Sequence, residues 1–309
     1  MILLAHTRNA PPFPERAKTA ATGATSIVCV IVNHGSAALT ARSVASVRAT
    51  APGVTVLLVD NSTPTQAPTL RATVPDCEVL TVPNRGFGAA CNAGIDAALA
   101  AQPQLTHVLL LNPDAVLESG CLDAMLTTWA RQPDAGAVGA RVLSMDGQSV
   151  LFENGRIRRY SLTRSHVQAP PGTGDVPTEF ITGACMLLAA DLLRSGLRFD
   201  EGYFLYVEDM DLCCAIAARG RTLWVARGAT VRHEDGGTQP EPAVLGHMRA
   251  RQLTWLTAGK VRFARKWLTP WQRACFFLVA TVIKPIAGVL AARSTAFLRP
   301  YFAGLRRRA

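Results

Sequence analysis

No Asp or Glu follows Glu241, although 13 of the 32 Lys and Arg lie from Arg249 to Arg308. The rest of the chain has 19 basic and 22 acidic residues, a net charge of −3, whereas the whole chain carries +10. Such asymmetry indicates a basic tail that contacts a membrane surface or a nucleic acid. Because long apolar runs separate the basic residues, we expect no nucleic acid and favour a membrane surface.

None of the eight cysteines lies in a CxxC pair or a metal-finger spacing, which argues against a structural zinc site. We interpret them as reduced, mostly buried thiols of a cytosolic protein. A secretory signal is also lacking, because the apolar residues 1–5 are too few and prolines follow them. Residues 1–25 are predicted to be a disordered leader.

A dinucleotide-binding glycine fingerprint is missing after the first predicted strand, residues 26–33, and the only near match, Gly86-x-Gly88-x-x-Cys91, lacks its third glycine. The chain nevertheless alternates β-branched runs with helical spacing up to the strand at 108–111. This alternation predicts an α/β fold with a Rossmann-like mixed central sheet and flanking helices.

The stretch Val-Leu-Leu-Leu-Asn-Pro-Asp at residues 108–114 is predicted to be a central strand and its end. Four apolar residues suit a strand that is buried on both faces, and Pro113 stops it. Asp114 then stands at the carboxyl end of the strand, where ligands bind in open α/β sheets. A carboxylate there can bind a hard cation that holds a diphosphate, or it is an ordinary turn aspartate.

Other polar and glycine positions have two interpretations each. Asp60 ends the second predicted strand, and it can bind a base or ribose hydroxyl or start an Asx turn. Gly86 and Gly88 let the main chain approach a diphosphate at a helix start, or they form a tight turn. Asn92 lies inside the predicted helix, where it is intrinsically unfavourable, which indicates a packing or ligand role.

An acidic cluster, Glu208-Asp209-Met210-Asp211, precedes a predicted helix, where the helix dipole favours carboxylates. Helix capping explains one acid, but the cluster exceeds that need because like charges repel. Gly183 lies in an apolar stretch, where we expect a close main-chain approach. Residues 144–177 are predicted to be a hairpin and a mobile loop near an acceptor site.

Five motifs in one order, covering roughly residues 26–240, resemble the family 2 glycosyltransferases with the GT-A fold, and within them the bacterial rhamnosyltransferases. The resemblance implies inverting transfer of a sugar from a nucleotide diphosphate donor. The motifs are Val59-Asp60-Asn61-Ser62, Asn84-Arg85-Gly86-Phe87-Gly88-Ala89-Ala90-Cys91-Asn92-Ala93-Gly94, Leu111-Asn112-Pro113-Asp114, Phe204-Leu205-Tyr206-Val207-Glu208-Asp209-Met210-Asp211-Leu212-Cys213, and His233.

The resemblance implies a role for each site residue. Asp209 would be the general base, and Asp114 with His233 would bind Mg²⁺ or Mn²⁺. A satisfied loop histidine is the alternative for His233. The residues expected on the nucleotide donor are Asn33, Asp60, Asn84, Gly86, Gly88, Asn92 and Asn112. The residues expected on the acceptor side are Glu208 and Gly183.

The sequence departs from the family at two positions. Family members usually have an acidic pair near the metal, whereas Asn112 stands at the first position here, so we expect a weaker metal site. They often have Arg two residues after the position of Cys213, where this chain has Ala215. Acceptor or phosphate contacts are therefore expected to differ.

Residues 26–240 are predicted to form the glycosyltransferase domain, and residues 241–309 a basic, apolar, helical tail. Within 274–292, Lys284-Pro285 is expected to break the ~20 apolar residues that a membrane-spanning helix needs. Trp, Phe and Arg mixed on helices favour an interfacial anchor over a span. A helical cap on the catalytic domain is the other alternative.

The sequence therefore predicts a peripheral enzyme at the cytoplasmic face of the plasma membrane. By the resemblance, it would move L-rhamnose from dTDP-L-rhamnose to a lipid-linked or polysaccharide acceptor in cell-envelope glycan synthesis. A sugar nucleotidyltransferase would need a glycine-rich triphosphate loop after the first strand, which Asn33-His34-Gly35-Ser36 does not supply. A catalytically dead nucleotide-sugar-binding module disagrees with the retained Asp114, Asp209 and His233.

Overall fold

A computed structural model describes residues 25–63, 67–166, 174–234, 243–245 and 248–307. The predicted leader at 1–25 lies almost wholly outside these residues, as does 167–173 of the predicted mobile loop. The strands are β1 (Ile27–Asn33), β2 (Thr55–Asp60), β3 (Glu78–Thr81), β4 (His107–Leu111), β5 (Ala115–Leu117), β6 (Ala135–Ser144), β7 (Val150–Phe152), β8 (Gly155–Arg158), β9 (Thr163–His166), β10 (Val176–Pro177), β11 (Cys185–Ala189), β12 (Thr222–His233), β13 (Ala243–Leu245) and β14 (Met248–Arg249). The helices are α1 (Ala37–Thr50), α2 (Ala67–Thr73), α3 (Phe87–Ala101), α4 (Cys121–Arg131), α5 (Ala190–Arg194), α6 (Glu208–Ala217), α7 (Ala250–Trp267), α8 (Pro270–Leu278), α9 (Lys284–Ala292) and α10 (Leu298–Arg306), with a π-helical turn (Val279–Ile283) between α8 and α9.

A mixed sheet of ten strands forms the centre of the described fold, in the order β10-β12-β6-β11-β4-β1-β2-β3, with β5 on β12 and β7 on β6. Strands β1 to β4 pair in parallel, whereas β11 runs antiparallel between β4 and β6. All seven residues of β1 are buried, as expected for a strand that helices cover on both faces. The predicted mixed α/β sheet is therefore confirmed.

Two apolar layers cover the two faces of the sheet. On one face, α1 and α4 contribute Val44, Val47 and Met125 to the core. On the other face lie α3 and α6. Helix α3 packs closely on β1, since a Cβ on Gly94 would lie 2.5 Å from a methyl carbon of Val30. Only glycine allows this helix to approach β1 so closely, which explains a residue that is intrinsically poor in a helix.

Strand β12 is longer than predicted. The sequence predicts two short strands, at 222–226 and 230–233, but both belong to one strand that pairs with β6 across a register shift between Ala226 and Thr230. Such a bulge bends the strand without ending its pairing. As a result, the end of β12 also pairs with β5, where His233 lies opposite Ala115.

The interruption predicted at Lys284-Pro285 is wrong. Helices α8 and α9 form one continuous helix, Pro270–Ala292, which is long and apolar enough to cross a membrane by length and composition, since an 18-residue window within it has a mean hydropathy of 2.1. Just before Pro285 the helix widens to a π-helical turn, in which the N–H of Lys284 donates to the carbonyl of Val279. Local widening of this kind accommodates a proline that cannot donate to the normal ladder.

Helix α7 of the predicted tail belongs to the main apolar core. Val261 and Phe263 are fully buried in the cluster that contains strand residues of β1 and β4. At its polar edge, Arg262 and Lys266 donate to Asp200 over 2.7 and 3.0 Å. Burial raises the pKa of Asp200, but the bonds from Arg262, the Gly202 N–H and Lys266 outweigh it and lower the pKa to about 2. The tail is thus fixed to the α/β fold by both apolar and ionic contacts.

Candidate active site

The carboxyl ends of β1, β2 and β4 bring several predicted site residues to one edge of the sheet. Asn33 ends β1 and lies in register with Asp60, which ends β2. Asn112 and Asp114 follow β4 directly. Neighbouring parallel strands end at the same edge, which is where ligands bind in open α/β sheets.

Asn33 holds the carboxylate of Asp60. Its Nδ2 donates to Asp60 Oδ1 over 2.9 Å and to Ser62 Oγ over 2.9 Å, while its Oδ1 accepts from the hydroxyl of Thr40 over 2.7 Å. The amide therefore uses both donors and one acceptor position inside the protein. Asn33 therefore positions Asp60, and its expected contact with the donor stays a prediction.

Both interpretations of Asp60 find support in its contacts. Oδ1 accepts from the main-chain N–H of Ser62 over 3.1 Å, which is an Asx turn. Oδ2 has no hydrogen-bond partner in the described fold, and it is buried, because the whole residue is only 1% exposed. An unsatisfied buried carboxylate oxygen is costly, so its presence points to an N–H or O–H donor that a ligand supplies.

Asp114 and His233 meet because β5 and the end of β12 pair. Oδ1 of Asp114 lies 3.1 Å from Nε2 of His233, and Nδ2 of Asn112 lies 3.2 Å from the same nitrogen. The side chains of Asp114 and His233 are 17% and 18% exposed, so solvent or a ligand reaches them. Among the described residues, no group of three or more His, Cys, Asp or Glu is close enough to hold a metal.

Asp209 lies at the second position of α6, and its carboxylate contacts the residues just before β11. Oδ1 accepts from the N–H of Met210 over 2.8 Å, and Oδ2 accepts from the N–H of Gly183 over 3.4 Å. The next carbonyl, that of Ala184, accepts from the N–H of Asn112 over 3.0 Å. Residues 183–184 therefore connect Asp209 with the Asn112–Asp114 turn across the edge of the sheet.

The loop at residues 84–88 packs against residues 199–204. Asn84 accepts from the N–H of Gly86 over 3.2 Å. Gly86 has φ of +107°, and a Cβ on it would lie 2.3 Å from the carbonyl oxygen of Phe204. A Cβ on Gly88 would lie 2.9 Å from the Cβ of Phe199. The space that both glycines leave is thus taken by residues 199–204.

Asn92 fastens α3 to the same segment. It is 5% exposed, its Nδ2 donates to the carbonyl of Phe199 over 2.9 Å, and its Oδ1 accepts from the N–H of Phe199 over 2.9 Å. The position of Asn92 inside a helix indicated a packing role or a ligand role, and these contacts support the packing role. The expected contact of Asn92 with the donor stays a prediction.

The turn before α6 has an unusual main-chain conformation. Tyr206 and Val207 both have positive φ, 70° and 74°, which is rare for any residue other than glycine and rarest for a β-branched one. Such positions cost of order 1–3 kcal/mol each and concentrate at functional sites. Helix α7 supports the turn, since a Cβ on Gly259 would lie 2.9 Å from the carbonyl oxygen of Tyr206.

Glu208 and Asp211 are the other acids of the cluster, and both are buried. Asp211 accepts from Tyr203 Oη over 3.0 Å, Lys266 Nζ over 2.8 Å and Trp267 Nε1 over 2.7 Å. Burial lowers the pKa of Lys266, but its hydrogen bonds to Asp211 and Asp200 outweigh burial and raise the pKa. Asp211 therefore faces α7, away from Gly183, and serves packing.

The sequence did not reveal the residues of α1 that support Asn33 and Asn112. Thr40 binds Asn33, and Ser43 donates to the carbonyl of Asn112 over 3.2 Å. Both lie on α1, where a threonine or serine carries no distinctive pattern. The strain at Tyr206 and Val207 was also invisible, because neither residue type favours positive φ.

Comparison with known proteins gives a family. A family profile described as glycosyltransferase-like family 2 matches residues 24–256. A curated relative in two strains of Mycobacterium tuberculosis, N-acetylglucosaminyl-diphospho-decaprenol L-rhamnosyltransferase, is 28% identical over 251 residues, which are 72% of this chain and 80% of the relative.

Two solved structures are similar in fold. GalNAc-T7 with UDP, GalNAc and Mn²⁺ superposes with a TM-score of 0.63 at 14% identity, covering 89% of this chain and 54% of that protein. TarS of S. aureus superposes with a TM-score of 0.55 at 12% identity, covering 91% and 48%. The chain spans about half the length of both proteins. These likenesses concern the fold, and they confirm the predicted GT-A architecture.

The two glycines at this edge should respond differently to alanine. Gly86→Ala should destabilise the protein by more than about 2 kcal/mol, because its φ is positive and the Cβ meets main chain. Gly183→Ala should cost less than about 1 kcal/mol, since its Cβ would lie 3.4 Å from the Phe87 ring and 3.9 Å from Asp209 Cβ, both ordinary contacts. Urea unfolding of both variants measures the difference.

Gly53→Ala is the control, because nothing lies within 4 Å of its Cβ position. Equal destabilisation by Gly86→Ala and Gly183→Ala would contradict the arrangement of residues 199–204 described above.

Proposed function

The chain belongs to the glycosyltransferase-like family 2 and is a glycosyltransferase, and we propose that it transfers L-rhamnose, with inversion, from dTDP-L-rhamnose to a hydroxyl of a lipid-linked glycan. The curated relative from Mycobacterium tuberculosis, which is 28% identical, supports both the donor sugar and the acceptor class. A role in cell-envelope glycan synthesis follows from that acceptor class.

One observation supports this function most. The main chain at Gly183 and Ala184 contacts Asp209 on one side and Asn112 on the other. Only the dipeptide Gly183–Ala184 therefore separates a carboxylate that can take a proton from the turn that carries Asp114. Sugar transfer needs the carboxylate and this turn near the same sugar, because the acceptor hydroxyl attacks the carbon that the diphosphate leaves.

The donor nucleotide would occupy the edge formed by β1 and β2. The unpaired Oδ2 of Asp60 suits the N–H of a pyrimidine base, and Asn33 fixes the carboxylate for that bond. A thymine has one such ring N–H, as uracil does, so this contact does not separate the two bases. Selection between them would then depend on the surroundings of the thymine methyl group.

Asp114 and His233 fit a divalent cation. When Nε2 of His233 accepts from Nδ2 of Asn112, it carries no proton to donate to Asp114 Oδ1, which lies 3.1 Å away, and the two acceptors repel. A Mg²⁺ with ligands at about 2.0–2.1 Å holds neighbouring ligands about 3 Å apart. Mg²⁺ keeps waters and substrate phosphates, so two protein ligands suffice. The cation would supply positive charge to the leaving diphosphate. The fold neighbour GalNAc-T7 was solved with Mn²⁺ and UDP.

Asp209 would act as the general base. It would accept the proton of the acceptor hydroxyl while that oxygen attacks the anomeric carbon opposite the diphosphate. The N–H groups of Met210 and Gly183 fix both carboxylate oxygens. Glu208 and Gly183 would border the acceptor.

The tail would hold the enzyme at a membrane surface, on the cytoplasmic side. One stripe of α8–α9 exposes apolar side chains, which are Trp271, Leu278, Val282, Ile283, Ile286 and Leu290. Exposed apolar patches of this size mark interaction surfaces. The opposite side packs on the protein, where Phe276 and Ala280 are buried in the main core. An apolar stripe on a docked helix favours an interfacial position over a span.

A donor screen with site variants tests the function. The wild-type protein should transfer sugar from dTDP-L-rhamnose in preference to other nucleotide sugars. Asp209→Asn should lower turnover by ~10²–10⁴-fold, because an amide cannot take a proton, and should leave donor affinity unchanged. Asp211→Asn should lower the unfolding temperature, because that carboxylate binds three side chains of the fold.

Turnover and donor affinity are measured on both variants. The base is misassigned if Asp209→Asn keeps near-normal turnover while Asp211→Asn loses turnover with its affinity intact.

Metal binding is tested at Asp114. Asp114→Ala should abolish the increase in dTDP affinity that Mn²⁺ produces, measured by titration calorimetry, because the remaining imidazole is a single ligand. Asp123→Ala, which removes an exposed acid of α4, should retain the increase. Undiminished transfer by Asp114→Ala in the presence of a chelator would exclude a metal role for this residue.

The apolar stripe is tested by surface substitutions. Deleting residues 268–309 would also remove buried core residues, so we choose Leu278→Ser, Ile286→Ser and Leu290→Ser, whose side chains are 59%, 58% and 73% exposed. The triple variant should move from the membrane fraction to the soluble fraction with an unchanged unfolding temperature. High salt should release only part of the wild-type protein, because apolar insertion is not screened.

Val150→Ser is the control, because Val150 is 48% exposed and lies on β7, outside residues 241–309. A wild-type protein that stays wholly soluble at low salt would disprove membrane attachment.

A further inference from the structure

Lys266 joins the two ends of the segment that carries Asp209. Its Nζ donates to Asp200 Oδ2 over 3.0 Å and to Asp211 Oδ2 over 2.8 Å. Residues 201–210 lie between these two acids and include both the strained turn and Asp209. We call Asp200, Lys266 and Asp211 the lysine clasp. One side chain of α7 thus closes the stretch of chain that enters α6.

Further hydrogen bonds fix the orientation of both acids in the clasp. Asp200 accepts from Nε and Nη2 of Arg262 over 3.1 and 2.7 Å, one bond to each carboxylate oxygen. Oδ1 of Asp211 accepts from Tyr203 Oη over 3.0 Å and from Trp267 Nε1 over 2.7 Å. Several directed bonds on one carboxylate leave it little freedom of orientation. The clasp therefore holds a single geometry.

The burial of the clasp indicates that it serves geometry more than stability. The side chains of Asp211, Asp200 and Lys266 are 2%, 18% and 37% exposed. The cost of removing charges from water offsets much of their attraction, so a buried ion pair is weak evidence for stability. Apolar side chains could join α6 to α7 without that cost. An ionic contact at this place instead selects one course for residues 201–210.

The clasp reaches Asp209 through the main chain of the strained turn. The N–H of Asp211 donates to the carbonyl of Val207 over 2.9 Å, and Val207 is one of the two residues with positive φ. Asp209 follows two residues later, and its bond from the Gly183 N–H is 3.4 Å long, a length at which such bonds are weak. The position of this carboxylate beside Gly183 therefore depends on the main chain of the turn.

We propose that Lys266 is a positioning residue for Asp209: by joining Asp200 to Asp211, it fixes the turn at the place from which Asp209 takes the proton of the acceptor hydroxyl. This inference rests on the proposed function, because it takes Asp209 as the base. It gives a residue of the tail, outside residues 24–256 of the family match, an effect on the rate of the transfer step. Misplacing a catalytic group slows the reaction even when the substrates still bind.

Kinetics of clasp variants test the inference. With dTDP-L-rhamnose and a short-chain prenyl-diphosphate-linked N-acetylglucosamine, Lys266→Met should lower kcat about tenfold or more, because methionine cannot join the two acids. The KM for the donor should stay unchanged. Lys266→Arg should keep more of the kcat, since a guanidinium can donate to two carboxylates. Arg265→Met is the matched control, because it removes a neighbouring exposed cation from the last turn of α7.

A milder variant covers the case in which Lys266→Met does not fold. Trp267→Phe keeps an aromatic ring and removes the N–H that donates to Asp211, so it should lower kcat less than Lys266→Met, again with an unchanged donor KM. All rates are measured well below the unfolding temperature of each variant. A loss of folded protein therefore does not lower them, and a merely structural role of the clasp would leave kcat at the wild-type value.

Hydrogen exchange separates this inference from the proposed function. Without substrates, the amides of residues 201–210 should exchange about tenfold faster in Lys266→Met than in wild-type protein, because the turn opens more often. Arg265→Met should keep the wild-type rates. If no sugar is transferred from any donor but this pattern holds, the proposed function fails, and the clasp stands as the contact that orders the turn.

Three results would overturn the inference. In the first, Lys266→Met, or Trp267→Phe if the former does not fold, keeps the wild-type kcat. In the second, Arg265→Met lowers kcat as much as Lys266→Met, which assigns the effect to the net charge of the tail. In the third, residues 201–210 exchange at the wild-type rate in Lys266→Met, so that the turn does not depend on the clasp.

Discussion

The site depends on how residues 199–211 are held between two helices. On one side, α3 binds the main chain of Phe199 through Asn92 and leaves room for Phe204 at Gly86. On the other side, α7 binds Asp200 through Arg262 and contacts the strained turn through Gly259. Positive φ at two consecutive residues is unfavourable on its own. The contacts from α3 and α7 therefore stabilise this main-chain conformation.

This arrangement joins the tail to the candidate site. Helix α7 reaches the main core with Phe263 and supports the turn that precedes Asp209 through Gly259. The apolar stripe of α8–α9 follows α7 directly in the chain. A displacement of α7 would therefore move the turn on which the position of Asp209 depends.

Much of the fold follows from local pattern. The β-branched runs of β1 and β2 and the apolar run of β4 predict buried parallel strands, and Asp60 and Asp114 at their ends mark the ligand edge. Long-range pairing was harder to predict. The sequence predicts two strands where β12 is one, because a bulge interrupts the local pattern as a strand end does. It predicts a break at Lys284-Pro285, because a π-helical turn has no sequence signal. Asn92 is intrinsically unfavourable in a helix, but the sequence does not reveal that its side chain binds the main chain of Phe199.

The sequence by itself determined the fold class and the family, because these are set by periodicity and by motifs within single segments. Only the tertiary structure decided what each polar group does. It turned Asn33 into a support for Asp60, gave Asp211 to the packing of α7, and brought His233 to Asp114 through a pairing between β5 and β12. Those roles depend on contacts between residues up to 121 positions apart, and local pattern carries no information about them.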